Sequence, residues 1–235
     1  MIIDVLTIFP QMFKPIIGES MVKRAQEKGL LKIHVHDLRD YSLLPHKKVD
    51  APSFGGGPGM VIRPEAVFNA AEDILGYNLY PRKKRDSAKR IIFFTPQGNI
   101  LNQRKIKKFF KFERLILIAG RYEGVDQRLR SHLVEEEVSI GDYVLSGGEL
   151  PAMIFIDMIT RIIPGVVSCP NSIKKESFEN NLLDHPHYTK PRDFRGLKVP
   201  AVLLSGDHKR IEAWRKEKAL AVTKKRRKDL LMFKS

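Results

Sequence analysis

Along the first half of the chain, apolar residues gather in short β-branched and aromatic runs separated by stretches of longer period. VLTIF, LKIHVHDL, RIIFFTP and RLILIAG are nearly continuous in apolar character, which suits strands of a sheet covered on both faces. Between them, MVKRAQEKG closes on a glycine cap, PEAVFNAAEDIL carries helical spacing, and NQRKIKKFFKF sets an apolar stripe beside a basic face. Strands alternating with helices predict an α/β domain.

Further on, SIGDYVLSGGELP at residues 139 to 151 breaks this rhythm. The apolar triplet Tyr143 to Leu145 reads as a very short strand between turns at Gly141-Asp142 and Gly147-Gly148. Glu149 and Pro151 then open a helix. Backbone this permissive lets the main chain approach something closely and leaves its amides and carbonyls free to bind. The apolar helix runs to Ile163 and stops at Pro164-Gly165, after which VVSCPNSIKKES lacks periodicity and reads as a linker. The remainder is a turn-rich segment, LLDHPHYTKPRDFRG, followed by a helix from about Asp207 that ends in TKKRRKDLLM. This predicts residues 1 to 167 as one domain, 168 to 176 as a linker and 177 to 235 as a small basic helical domain.

Composition narrows the function classes. The 235 residues, 43% hydrophobic, suffice for a real core, and no apolar run nears the roughly 20 residues of a membrane span. MIIDVLTIFP reads as a buried strand rather than a signal peptide, so a cytoplasmic protein is expected. Cys169 is the single cysteine, which excludes an internal disulfide and argues against a thiolate metal site. Lys plus Arg number 42 against 27 Asp plus Glu, a net charge of +15. Such an excess suits a polyanionic partner such as nucleic acid, or simple solubility. The charged excursion GYNLYPRKKRDSAKR, residues 76 to 90, carries the same two readings, RNA contact or solvated loop.

Several motifs point to chemistry. SFGGGPGM at residues 53 to 60 fails both phosphate-loop patterns, because no Gly-Lys-Ser/Thr follows and it does not lie between a strand and a helix. It reads as an adaptable ligand-facing loop. GRYEGVDQR at residues 120 to 128 follows a strand directly, where ligands of open parallel sheets gather, and so places Gly120, Tyr122 and Glu123 at a candidate site. Arg161, four residues after Asp157 on an apolar helix, reads as an i,i+4 ion pair or as a site cation. The HPH at residues 185 to 187 has neither Cys nor a matching carboxylate cluster and is a weak metal signal. No metal site is assigned.

The ordered set FGGGPGM, TPQG, GRYEGVD, SIGDYVLSGGELPA, D-x-x-x-R-x-I-P-G and LLDHPHYTKP resembles the bacterial tRNA (guanine-N1)-methyltransferases of the SPOUT, or trefoil-knot, class, from residue 1 to about residue 230. The resemblance implies a knotted parallel-sheet α/β domain, an exception to the rule against threaded chains, followed by the basic helical domain. It implies S-adenosylmethionine wrapped by Phe93, Thr95, Pro96, Gly120, Tyr122, Ile140, Gly141, Asp142, Tyr143, Val144, Leu145, Gly147, Gly148 and Pro151. It also implies a tRNA substrate methylated at the guanine 3′-adjacent to the anticodon, an obligate homodimer with its site at the subunit interface, and magnesium dependence without assigned residues.

Methylating N1 of guanine requires an unpaired base, a carboxylate to take the N1 proton and a cation to stabilise charge on O6. By position, the resemblance makes Arg161 the cation and Glu176, in KKESF, the base. The family carries aspartate there, so the extra methylene of Glu176 is a departure, and Asp184 is the rival. Gly59 and Glu123 carry over as guanine-pocket residues, with Asp184 as a second substrate contact. Two other functions stand beside this one: a knotted methyltransferase acting on another RNA or on ribose, and a non-catalytic RNA-binding protein.

Overall fold

The computed structural model describes residues 1–80, 86–167 and 176–232. The chain divides into two compact units, Met1–Ser168 and Cys169–Ser235. Most of the expected linker, residues 168–175, lies outside the described residues, as do residues 81–85 of the charged excursion.

The first unit carries β1 (Ile2–Thr7), β2 (Lys32–Asp37), a short antiparallel pair β3 (Asp50–Ala51) and β4 (Val61–Ile62), β5 (Lys89–Ile100), β6 (Arg114–Ile118) and β7 (Glu136–Ser139). Five of these form one parallel sheet in the order β2-β1-β6-β5-β7. The continuous apolar runs follow from burial on both faces. Because side chains alternate along a strand, Ile3, Val5, Ile92, Phe94, Leu115 and Leu117 face one core, which the helices Ser20–Glu27 and Glu149–Ile162 close with Val22, Ala25, Phe155, Ile156 and Ile159. Leu6, Ile91, Phe93, Ile116 and Ile118 face the other, closed by Ala66, Val67 and Ala70 of the helix Pro64–Leu75 and by Leu129 of Gln127–His132.

One polar group interrupts this second face. Asp4 is buried, in register with His34. Its Oδ1 lies 3.0 Å from His34 Nδ1 and 2.9 Å from His36 Nε2, and Arg114 Nε lies 3.2 Å from its Oδ2. Burial alone would raise the Asp4 pKa, but the hydrogen bonds from His36 and His34 and the charge of Arg114 together hold it below the usual carboxylate range.

Several elements depart from the expected pattern. Tyr143–Leu145 is not a strand: Tyr143 and Val144 are exposed, and the stretch runs as an irregular turn with no neighbouring strand to pair with. By contrast β7, hidden behind the three consecutive glutamates of VEEEVSI, pairs with β5 and forms the sheet edge. The helix Gln127–His132 is also unanticipated, its N-terminus capped by the Asp126 side chain, which accepts from the Arg128 amide at 2.8 Å.

β5 is longer than RIIFFTP suggests and shifts register between Phe94 and Asn99. Within that shift, a Cβ on Gly98 would lie 2.5 Å from the backbone of Glu137 and Val138. Only glycine lets the two main chains pass this closely, which accounts for the last letter of TPQG.

In the second unit, β8 (Asp193–Phe194) and β9 (Leu197–Lys198) form a small hairpin, and a long helix runs His208–Arg226. Asp207 caps that helix, accepting from the amides of Lys209 and Arg210 at 3.0 and 3.1 Å. Thr223 is fully buried: its hydroxyl donates to Ala219 O at 2.7 Å and accepts from Leu183 N at 2.8 Å, which ties the LLDHPHY segment to the helix. Among the described residues, no helix is long and apolar enough to cross a membrane.

Candidate active site

A cleft of about 290 Å³ opens at the carboxyl ends of β6 and β7, beside the middle of β5. β5 lends it Phe93, Thr95 and Pro96; the turn after β6 supplies Gly120, Tyr122 and Glu123. The segment after β7 closes the wall with Ile140, Gly141, Tyr143, Val144, Leu145, Gly147 and Gly148, and Pro151 adds the first turn of the following helix. Thus thirteen of the fourteen residues expected around the cofactor line one cavity. Asp142 does not. It sits exposed at the turn made by Gly141, whose φ is 151°, and this turn folds the Tyr143 ring back over Gly141 instead.

Backbone contacts hold these loops together. Gly148 N donates to Gly120 O at 2.7 Å, and Arg121 and Gly147 form an antiparallel bridge. A Cβ on Gly148 would lie 2.8 Å from Ala119 Cα and Gly120 N, so the two loops are in main-chain contact. At the foot of β7, the Ser139 hydroxyl donates to Gly141 O at 3.1 Å. Tyr122 is held at φ 60°, a conformation unusual for a large side chain.

The candidate guanine-pocket residues also meet. Glu123 N donates to Met60 O at 3.0 Å, and a Cβ on Gly59 would fall 2.6 Å from the Glu123 side chain. Gly59, at φ 83°, owes its identity to that conformation, and it brings the loop against the Glu123 side chain.

Arg161 is half-buried in the last turn of Glu149–Ile162. Glu176 and Asp184 belong to the second unit. They begin and end a tight knuckle in which Phe178, Asn180 and Asn181 all take positive φ, and Asp184 N donates to Ser177 Oγ at 2.9 Å. Both Asp184 carboxyl oxygens are engaged, Oδ1 with the amide of His185 at 2.7 Å and Oδ2 with His187 Nε2 at 3.0 Å. Burial pushes the Asp184 pKa up, but the His187 hydrogen bond, the His185 amide and the neighbouring imidazoles together hold it below the usual range. The carboxylate that the HPH pair lacked in sequence is thus Asp184 itself, and the three side chains bring one ligand atom each to within 4.8 Å of one another.

A profile of the family described as tRNA (guanine-1)-methyltransferase TrmD matches residues 1–233. The chain belongs to this family. Among its relatives, a tRNA (guanine-N(1)-)-methyltransferase of Clostridioides difficile (strain 630) is 48% identical over 227 residues, covering 96% of this chain and 95% of its own. The protein of the same description from Endomicrobium trichonymphae is 49% identical over 235 residues, covering 97% and 98%. That from Moorella thermoacetica is 49% identical over 229 residues, covering 97% and 89%.

Sequence reasoning missed the polar scaffold under the glycine-rich wall of the cleft. Glu149, read only as the acidic opening of a helix, is buried at 1% exposure. Its Oε1 accepts from the Thr7 hydroxyl at 2.9 Å and its Oε2 from Arg121 Nε at 2.9 Å. Arg121 also lines the cleft and lies 4.5 Å above the Phe9 ring. A conceivable signal was the joint presence of an arginine inside GRYEG and an acid directly after Gly147-Gly148, since two loops that meet need their charges paired.

Proposed function

We propose that this tRNA (guanine-N1)-methyltransferase transfers a methyl group from S-adenosylmethionine to N1 of the guanine 3′-adjacent to the anticodon. The observation that carries this reading is the convergence of TPQG, GRYEG and SIGDYVLSGG on one cleft, built from main chain that glycine alone permits.

The lining of the cleft suits an adenosine. Phe93, Ile140, Leu145 and Pro151 offer apolar cover, and the hydrogen bond from Gly148 N to Gly120 O holds the two glycine loops together at the wall. The bound cofactor supplies an electrophilic methyl group. The chain's own residues do the rest: Glu123 and the loop at Gly59 receive the splayed base, Glu176 takes the N1 proton as general base, and the guanidinium of Arg161 stabilises negative charge developing on O6. Asp184 serves better as a fixed contact to tRNA than as the base, because both its oxygens are occupied and its pKa lies low. Arg161 and Glu176 lie in different compact units; in this reading they come from two subunits of a homodimer, a first unit holding the cofactor and Arg161 and a second holding tRNA and lending Glu176. The lysines and arginines of the last turn of His208–Arg226 suit phosphate contacts there. A trefoil knot in the first unit and action in the cytoplasm belong to the same reading. Magnesium dependence belongs to it as well and is assigned to no residue.

Incubation with labelled S-adenosylmethionine and unmodified tRNA, followed by nucleoside analysis, tests it. Label in N1-methylguanosine supports the reading; label in a ribose-methylated nucleoside, or none, overturns it.

A further inference from the structure

A second cavity, of about 320 Å³, lies in the first unit at the β7 edge of the sheet and shares only Val138 with the cofactor cleft. Arg90, Lys105, Lys108 and Lys111 line it, against the single carboxylate of Glu136. NQRKIKKFFKF does not form the single amphipathic helix its pattern suggests. It is one α-turn, Gln103–Ile106, continued as a 3-10 helix over Lys107–Lys111. In a 3-10 helix, residues three apart eclipse one another, so Lys108 and Lys111 share a face and Lys105 continues the row.

Arg90 lines this cavity from β5. Its guanidinium stacks on Phe112, 4.6 Å from the ring centroid, and Nη1 lies 3.7 Å from the Glu135 carboxyl group. Its Nε is buried without a hydrogen-bond partner, and an unmet buried donor is rare enough to call for an explanation. Lys111 reaches the same ring, 5.1 Å from its centroid. No carboxylate pairs with Lys105, Lys108 or Lys111 among the described residues.

We propose that this cavity binds phosphate groups of the RNA backbone, as a tRNA contact of the first unit outside the cofactor cleft. The proposal rests on the reading that the chain acts on tRNA. The chemistry recognised is phosphate, whether of RNA or free in solution. A row of three ammonium groups on a ridge favours the polymer, because lysines act as separate point charges and can neutralise successive phosphates. A site for one free anion would gather its donors around a single point.

The experiment compares the parental full-length protein with the Lys105→Ala/Lys108→Ala double variant. Affinity for unmodified tRNA is measured against salt, S-adenosylmethionine binding is measured by calorimetry, and inorganic phosphate binding is followed by phosphorus NMR. The expected result is weaker tRNA binding and a log–log salt slope flatter by about 0.7 to 0.9 for each phosphate no longer neutralised, with cofactor binding unchanged. An unchanged tRNA affinity and slope overturns the proposal; if inorganic phosphate binding is lost in that variant, the ligand is free phosphate instead. A parental protein that binds tRNA with the expected salt response yet forms no N1-methylguanosine sinks the catalytic reading alone.

Discussion

Arg121 Nε lies 2.9 Å from Oε2 of Glu149, joining the turn after β6 to the first turn of the helix that follows the glycine-rich wall. Glu149 is almost wholly excluded from water and Arg121 nearly so, their side chains 1% and 17% exposed. Leaving one member of such a pair without its partner costs roughly 3–5 kcal/mol. Glu149→Gln is therefore expected to lower unfolding stability by about that amount, because an amide cannot accept from both Thr7 and Arg121 with carboxylate strength. Denaturant unfolding with and without S-adenosylmethionine checks this. A stability loss below about 1 kcal/mol would show that the pair does not act as a strut between the two loops.

Gly148→Ala places a methyl group where Ala119 Cα and Gly120 N stand 2.8 Å away. Backbone cannot yield as a flexible side chain can, so the expected cost is about 1–3 kcal/mol, typical of overpacking, together with weakened cofactor binding as the two loops part. Calorimetric titration of the folded variant with S-adenosylmethionine is the measurement. Parental affinity would show that the loops separate without disturbing the cleft.

Glu176→Gln is expected to leave cofactor binding nearly intact while slowing single-turnover methyl transfer by roughly 100- to 10,000-fold, the range for loss of a general base. Glu176→Asp should keep much of the rate, and Asp184→Asn should weaken tRNA binding more than chemistry. If Glu176→Gln methylates at the parental rate while Asp184→Asn is inactive, the base is Asp184.

Asp4 gives the fold a response to acid. Its folded pKa lies below the reference 3.8, as the hydrogen bonds from His36 and His34 and the charge of Arg114 outweigh burial. The resulting stability is fully present above the reference value and is lost as pH falls through the lower folded value. Asp4→Asn should cost roughly 1.5–3 kcal/mol at neutral pH, the scale for hydrogen bonds to a charged group, and the gap to the parental protein should narrow below about pH 3.8. Urea denaturation of both proteins across that range decides it; a gap that stays constant with pH excludes Asp4 as the group responsible.

Local pattern was enough for β1, β2, β6 and the helices Pro64–Leu75 and Glu149–Ile162, because a strand or helix buried along its length must carry its period in its own residues. The motif glycines were legible for a similar reason: a backbone conformation or close approach that only glycine tolerates leaves a mark in one residue. β7 was not legible, since an edge strand with two half-exposed glutamates takes its identity from pairing with β5. Nor was the irregular course of Tyr143–Leu145, whose apolar side chains meet no strand. The Thr7–Glu149–Arg121 strut joins residues up to 142 positions apart, and the basic face of NQRKIKKFFKF, legible as such, takes its register from an α-turn at Gln103–Ile106 that passes into a 3-10 helix over Lys107–Lys111. The strut and the change of winding depend on contacts that no local period encodes, so the chain had to be folded before they existed.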